Sequence, residues 1–76
     1  MNIFSIFYSL GHETPFIARR NTWKNILVIV DDVYPNGNGY GTAYGRIYDK
    51  RTGTIEPYKK IANAGTYSWI YEGREL

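Results

Sequence analysis

The longest run of hydrophobic positions extends from Asn25 to Tyr34 and predicts the principal strand of the protein. Apolar side chains occupy both of its parities, with Ile26, Val28 and Val30 at even positions and Leu27, Ile29 and Val33 at odd positions. Successive side chains of a strand point to opposite faces, so both faces of this strand are apolar. Such a strand is covered on both sides or lies at a subunit interface.

Two turn signals frame the next strand. Residues 35–39 read Pro-Asn-Gly-Asn-Gly, and Asn-Gly pairs adopt positive φ at low cost. Tyr40–Asp49 is therefore expected to return as the second strand of a hairpin. Lys50–Gly53 predicts another tight turn, with Gly53 in the left-handed conformation.

Three further strands are predicted from weaker patterns. Phe16–Ala18 is short, and Thr54–Ile61 contains Pro57, which cannot donate a backbone hydrogen bond and is best tolerated at a sheet edge. Thr66–Tyr71 alternates, with Tyr67, Trp69 and Tyr71 on one face.

The first ten residues fit either a helix or a strand. Asn2, Ser5 and Ser9 fall on one helical stripe, and Gly11 stands where a helix-terminating glycine belongs. The strand alternative rests on the alternation of Phe4, Ile6, Tyr8 and Leu10. We favour a short helix. The predicted fold class is mainly β, or α+β with that helix, built on a small antiparallel sheet of four to five strands that is barrel-like or packed through an oligomer interface.

A chain of 76 residues forms one domain, so residues 1–76 are interpreted as a single small binding domain. A domain this small buries only about 60% of its unfolded surface, which makes a homo-oligomer a natural expectation. The net charge of +2 is too small for a typical duplex-DNA protein. The absence of Cys and of a signal or membrane-spanning pattern predicts a soluble, cytoplasmic protein that does not bind membranes.

The returning strand carries the most informative pattern for function. Its even positions read Tyr40, Thr42, Tyr44, Arg46 and Tyr48, and its odd positions read Gly41, Ala43, Gly45, Ile47 and Asp49. One face is therefore an aromatic row with one cation, and the other is nearly bare and allows close approach of a helix, a backbone or a ligand. The aromatic row suits stacking on bases, with Arg46 on phosphate, but it is equally the composition of half of a small core.

A second group combines aromatic and basic side chains in Arg19, Arg20, Trp23 and Lys24. The basic residues near the later turns, Lys50, Arg51, Lys59 and Lys60, are interpreted as solvated charges.

No residue pattern predicts catalysis or a metal site. His12 is the single histidine, and one histidine without cysteine is a poor metal ligand set. Asp31 and Asp32 are adjacent, so on a strand they are expected to face opposite ways and cannot act as a pair on one bond. We therefore predict a non-enzymatic protein with no cofactor and no metal.

The stretch Ile17-Ala18-Arg19-Arg20-Asn21-Thr22-Trp23, after a short apolar segment and before an aliphatic strand, resembles the small phage-encoded anti-Thoeris sponge proteins. The resemblance covers roughly the first 30 residues, and Ser68-Trp69 is similar to a C-terminal Trp of that family. It implies a homo-oligomer that sequesters a cyclic ADP-ribose-type immune signal, and it transfers that role to Arg20 and Trp23. The second half, with its Asn-Gly turns and tyrosine row, does not match the family.

These patterns leave three functions open. The leading hypothesis is binding of a nucleotide-type small molecule by stacking and arginine–phosphate contacts, with Arg20, Trp23, Tyr40, Tyr44, Arg46 and Tyr48 as the candidate ligand-binding residues. The second is binding of single-stranded nucleic acid on the tyrosine row. The third is a protein-docking inhibitor of a host enzyme, because Tyr, Trp and Arg are also the residues of interface hot spots.

Overall fold

The computed structural model describes residues 1–66 and 68–76, and within these ranges it contains one helix and one sheet. The elements in chain order are α1 (Ile3–Ser9), β1 (Phe16–Arg20), β2 (Ile26–Pro35), β3 (Gly41–Asp49), β4 (Thr54–Ile55), β5 (Lys59–Lys60) and β6 (Trp69–Gly73). The prediction of a mainly β fold with a short helix is confirmed. The described sheet has six strands rather than four or five, because the strand predicted at Thr54–Ile61 is divided into two strands of two residues each.

The strands lie in the order β4-β3-β2-β1-β6, and β5 pairs with β3 beside β4. All of these pairings are antiparallel. Within the described ranges no pairing joins β4 to β6, so the sheet is open and is not closed into a barrel.

The strand expected at Thr54–Ile61 is interrupted. β4 and β5 both pair with β3, and residues 56–58 lie between them. Pro57 falls in this gap, as expected for a residue that cannot donate to a ladder. The amides of Glu56 and Ile61 still donate to carbonyl oxygens of β3, at 2.8 Å each. The segment therefore follows β3 as a broken edge.

The helical interpretation of the first residues is confirmed. The side-chain oxygen of Asn2 accepts a hydrogen bond of 2.8 Å from the Ser5 amide and caps the start of α1. Gly11 has a φ of +71°, the left-handed conformation that commonly ends a helix. The buried side chains of α1 are Ile3, Phe4, Ile6 and Phe7, and they pack in the main core. The same core contains Ala43, which is fully buried on the bare face of β3.

β2 is apolar on both faces, as predicted. Val28 and Val30 belong to the core beneath α1, whereas Leu27 and Ile29 form a smaller cluster with Ile17 on the opposite side. We call these two sides of the sheet the helix face and the outer face.

A bulge between Val30 and Asp32 shifts the register of β2 against β3. Asp31 is the extra residue, and its carboxylate contacts Arg46, while the carboxylate of Asp32 contacts the Tyr58 hydroxyl. Both contacts lie on the outer face. The expectation that the two aspartates face opposite ways is therefore wrong, because a bulge breaks the alternation of a strand.

β6 begins at Trp69, later than the predicted start at Thr66. Thr66 lies in a turn, and Tyr67 lies outside the described residues. Trp69 is 3% exposed in the main core, whereas Tyr71 is exposed. The last strand thus begins three residues later and ends two residues later than the predicted one.

No helix within residues 1–66 and 68–76 is both long and apolar enough to span a membrane.

The helix covers only part of the helix face. α1 has seven residues and is about 10 Å long, whereas the ten residues of β2 extend about 33 Å. The end of the sheet formed by the start of β2 and the end of β3 is therefore left uncovered. Ile26 and Ile47 remain partly exposed there, and a groove forms at this end.

Candidate ligand-binding groove

The floor of the groove is apolar. Val28 and Ile47 lie opposite each other in the β2–β3 ladder, and Ile26 is two residues before Val28 on the same face. No residue of α1 belongs to the described lining. We call this feature the basic groove, for the charges on its walls.

An arginine–tryptophan pair forms the first wall. The turn after β1 places the Trp23 amide 3.0 Å from the carbonyl oxygen of Arg20, to which it donates. The Arg20 guanidinium lies over the Trp23 indole, 4.0 Å from the ring centroid, which is within cation–π distance. A stacked guanidinium keeps its N–H donors in the plane parallel to the ring. The pair therefore presents an aromatic surface and a positive charge at the same place.

Lys59 stands on the opposite wall. It pairs with Gly45 across the β5–β3 ladder and so lies on the helix face. Its ammonium donates to the Glu56 carboxylate at 3.3 Å, and both side chains are about half exposed. An exposed pair of this kind contributes little to stability, so the ammonium is available to another anion at small cost. Lys60 pairs with Tyr44 and so directs its side chain towards the outer face, although the residue borders the inner compartment.

Two adjoining compartments make up the groove. The inner compartment has a volume of about 280 Å³ and lies beside the core, with Arg20, Lys59 and Trp69 in its lining. The outer compartment has a volume of about 360 Å³ and lies towards the loops, with Lys24, Arg51 and Glu56 in its lining. Trp23 and Ile47 line both, so the compartments meet at the tryptophan.

Positive charge is concentrated in the lining of the groove. Glu56 is the single acidic residue in the described lining, against five basic ones: Arg20, Lys24, Arg51, Lys59 and Lys60. Three other arginines form ion pairs elsewhere, namely Arg19 with Glu72, Arg46 with Asp31 and Arg74 with Glu13. The groove is therefore basic although the whole chain has a net charge of only +2.

The aromatic row predicted on β3 forms only in part. Tyr44, Arg46 and Tyr48 share the outer face, as the alternation of an extended strand requires. Tyr40 precedes the strand, and its ring lies so close to Gly65 that a Cβ atom there would overlap it. Its position next to Gly65 places it at the helix-face side of the molecule. The expectation that Tyr40 continues the row is wrong, because regular alternation begins only after it.

The tyrosines of the row contact other tyrosines. Tyr44 stacks on Tyr58 with ring centroids 5.7 Å apart and an angle of 8° between the planes. Tyr34 meets Tyr44 edge-on at 5.9 Å. Tyr48 packs against the apolar cluster that contains Ile29. Tyr34 and Tyr58 are nonetheless 57% and 51% exposed, and Tyr44 and Tyr48 are partly exposed, so the row makes contacts within the protein without being sealed in its core.

Arg46 is also engaged within the protein. Its guanidinium donates two hydrogen bonds of 2.9 Å to the two carboxylate oxygens of Asp31. This hydrogen bonding, together with the negative charge of Asp31, raises the pKa of Arg46 above its ordinary value. Arg46 lines neither compartment of the basic groove. Of the six candidate residues, the structure brings together Arg20 and Trp23 in the groove and leaves the four from residues 40–48 outside it.

Lys59 and Trp69 are groove residues that sequence patterns did not select as ligand-binding. Trp69 is held by a hydrogen bond of 3.4 Å from its Nε1 to the carbonyl oxygen of Asn63. Lys59 reaches the groove because the chain resumes pairing with β3 after Pro57. The signal present in the sequence was the lysine pair that follows the proline-interrupted edge strand. The register of β5 against β3 decides which lysine faces the groove, and the sequence does not reveal this register.

Within residues 1–66 and 68–76, no three His, Asp or Glu side chains come together in a cluster that could hold a metal ion. Comparisons with models of known protein families, with curated proteins and with solved structures find no match to this chain. The chemistry of the basic groove is therefore the main guide to function.

Proposed function

We propose that this protein is a non-enzymatic binding protein that sequesters a nucleotide-type ligand in the basic groove. The observation that carries the proposal is the Arg20 guanidinium at 4.0 Å over the Trp23 indole, on the wall of an apolar-floored groove with Lys59 on its other wall. A nucleotide has one flat aromatic part and one anionic part, and this groove offers a complement to each.

The apolar part of the groove suits a base. Aromatic side chains stack on any nucleobase, because every base has a π face. Ile47 and Val28 provide an apolar floor beside the indole of Trp23. Ligand pockets are typically apolar with a few convergent polar groups, and their volumes start at roughly 300 Å³. The inner compartment, at about 280 Å³, is near that lower end.

The charged part of the groove suits a phosphate. Guanidinium groups bind phosphate through paired N–H donors, and ammonium groups bind it as point charges. Arg20 and Lys59 both line the inner compartment. A phosphate there would replace the weak exposed contact between Lys59 and Glu56 with a stronger charge-assisted one.

The resemblance to the anti-Thoeris sponge proteins supports the same residues. It transfers ligand binding to Arg20 and Trp23, and these are the two candidates that share the groove. On this basis we extend the proposal to a cytoplasmic phage counter-defence factor that takes up a cyclic ADP-ribose-type signal and assembles as a homo-oligomer.

Isothermal titration with adenosine 5′-monophosphate (AMP) and cyclic ADP-ribose tests the proposal. We expect the wild-type chain to bind at least one of them, and Arg20→Ala to weaken that binding at least about tenfold, the effect of losing a charge-assisted contact and its stacked partner. Lys50→Ala is the matched control, because Lys50 is an exposed cation of a neighbouring turn outside the groove lining. Equal losses in the two variants, or no binding of either compound, would contradict the proposal.

The other two functions remain predictions that simple assays separate from this one. Binding of single-stranded nucleic acid predicts that affinity keeps rising with oligonucleotide length and falls steeply with salt. Docking on a host enzyme predicts a stoichiometric protein partner and no effect of free nucleotide on the complex.

A further inference from the structure

The indole of Trp23 separates two compartments rather than closing one. Arg20, which lies over this ring, lines the inner compartment and is not part of the lining of the outer compartment. The outer compartment therefore borders a part of the indole that Arg20 does not cover. A planar ring in the outer compartment can stack on this uncovered indole surface, and one in the inner compartment can stack on the Arg20 guanidinium.

The outer compartment has its own polar groups, and backbone hydrogen bonds hold them in position. The Glu56 amide donates to the carbonyl oxygen of Ile47 at 2.8 Å, and the Lys50 amide donates to that of Asn25 at 2.9 Å. These bonds fix the backbones of Glu56 and Asn25 in the lining of the compartment, and the side chains of both residues are exposed. Their carboxylate and amide groups match the donors and acceptors of a base edge or a sugar hydroxyl.

Cations of the outer compartment add a second place for negative charge. The guanidinium of Arg51 contacts the Asp49 carboxylate at 3.3–3.4 Å and remains 68% exposed. Hydrogen bonds from Arg51 lower the pKa of the Asp49 carboxyl, so this carboxylate stays charged and holds the arginine. Lys24 follows Trp23 directly and lines the same compartment. Each side of the tryptophan thus combines the ring with at least one cation.

We infer that the ligand of the basic groove is a dinucleotide-type small molecule, with one nucleoside unit in each compartment and the Trp23 indole between them. The inference rests on the proposed nucleotide-binding function and adds to it the number of units bound. Arg20 and Lys59 hold the phosphate of the inner unit, and Lys24 and Arg51 hold that of the outer unit. Asn25 and Glu56 contact the hydrogen-bonding groups of the outer base or sugar.

Titration with AMP and with the linear dinucleotide pApA tests this inference. We expect pApA to bind the wild-type chain at least about tenfold more tightly than AMP, the gain that one more stacked base gives. In the double variant K24A/R51A the ratio of the two affinities should fall clearly below its wild-type value, because the second unit loses its phosphate contacts and keeps only its stacking on Trp23. The Lys50→Ala variant serves as the control and should keep the wild-type ratio, because it retains the backbone amide that bonds to Asn25 and removes only an exposed ammonium outside the described lining.

The possible outcomes separate this inference from the proposed function. If AMP binds and pApA binds no more tightly, the second unit has no site and the inference is rejected while nucleotide binding stands. If neither compound binds, both are rejected. If an adenylate hexanucleotide binds more tightly than pApA, with the same gain in affinity for each added nucleotide, the occupant is a single-stranded nucleic acid. That result would also overturn the inference. If K24A/R51A unfolds near the wild-type temperature, misfolding is excluded as the cause of a lower ratio of pApA affinity to AMP affinity.

Discussion

Two arginines of this chain differ in what their guanidinium groups contact. Arg46 is held by both carboxylate oxygens of Asp31, whereas Arg20 lies over the Trp23 ring at the wall of the basic groove. A bidentate carboxylate partner already satisfies much of the charge of Arg46. A ligand phosphate at that position would have to displace Asp31, which is fixed in the bulge of β2.

We therefore predict opposite effects of removing these two arginines. Arg20→Ala should weaken AMP binding at least about tenfold and lower the unfolding temperature only moderately, because a partly buried cation–π contact contributes about 1–2 kcal/mol. Arg46→Ala should lower the unfolding temperature more than it lowers AMP affinity. Titration and thermal unfolding of both variants decide the matter. A larger loss of affinity in Arg46→Ala would return the ligand site to the tyrosine row.

Tyr58 links the broken edge strand to β2 through its hydroxyl. This hydroxyl donates a hydrogen bond of 2.6 Å to the Asp32 carboxylate, and the contact raises the pKa of Tyr58 to about 12 from its ordinary value of 10.0. The folded state therefore holds the phenolic proton more tightly than the unfolded state. The resulting stabilisation is fully present below pH 10 and is lost as the pH rises from 10 to about 12.

The variant Tyr58→Phe isolates this effect, because it removes the hydroxyl and keeps the ring that stacks on Tyr44. We expect the wild-type chain to be the more stable of the two at pH 8 and the difference to shrink as the pH approaches about 12. Thermal unfolding across this pH range measures it. A difference that stays constant with pH would show that the phenolic proton is not held more tightly in the fold.

At the scale of elements, the β2–β3 hairpin depends on a close approach at Gly45. A Cβ atom at this position would overlap the carbonyl oxygen of Ile29 and come within 3.2 Å of the Asp31 amide, both in the backbone of β2. Only a residue without a side chain allows the bulged strand to pair here. At Gly65, by contrast, the atom nearest to an added Cβ belongs to the exposed ring of Tyr40, which can move.

We predict that Gly45→Ala destabilises the protein by about 1–3 kcal/mol, the range for forced overpacking. Gly65→Ala adds the same methyl group and should cost clearly less, since a side chain rather than a backbone must give way. Urea unfolding with an unchanged m-value measures both losses. Equal midpoints for the two variants would contradict the role assigned to the bulge.

The sequence predicted the elements whose patterns are local. The apolar run of β2, the Asn-Gly turn and the helix-terminating Gly11 each depend on neighbouring residues, and each was found close to its predicted place. The bulge at Asp31 was not predicted, because it depends on register against β3 rather than on the residue itself. Because Val30 lies on the helix face, regular alternation would place Asp31 on the outer face and Asp32 back on the helix face, and the extra residue keeps Asp32 on the outer face as well.

The basic groove was less predictable than the fold for a related reason. Arg20 and Trp23 were identifiable because they belong to one short group of aromatic and basic residues and because the resemblance transfers ligand binding to them. Lys59 comes from the far edge of the sheet and Trp69 from the last strand, and only the pairing of non-adjacent strands brings them to the same groove. Local patterns contain no information on such long-range contacts.

At the scale of the molecule, the basic groove results from a mismatch in length. A helix of seven residues cannot cover strands of nine and ten residues, so one end of the helix face stays uncovered. Five of the six charged residues in the described lining of this end are basic, while three arginines elsewhere are paired with acids. The chain thus combines a mild net charge with a strongly one-sided charge distribution.

This distribution predicts a salt dependence that the net charge alone would not. The Debye length falls from about 10 Å in 0.1 M salt to about 3 Å in 1 M salt, so attraction of an anion into the groove is screened over this range. AMP should therefore bind several-fold more weakly at the higher concentration, whereas uncharged adenosine, which keeps only the stacking on Trp23, should change little. In Lys59→Ala the salt dependence for AMP should be smaller than in the wild-type chain, and in Lys50→Ala it should be the same. Titrations of the two compounds at both salt concentrations measure these differences. If adenosine bound as tightly as AMP at low salt, the basic walls would contribute nothing to binding, and the groove would have to be regarded as a site for an uncharged ring.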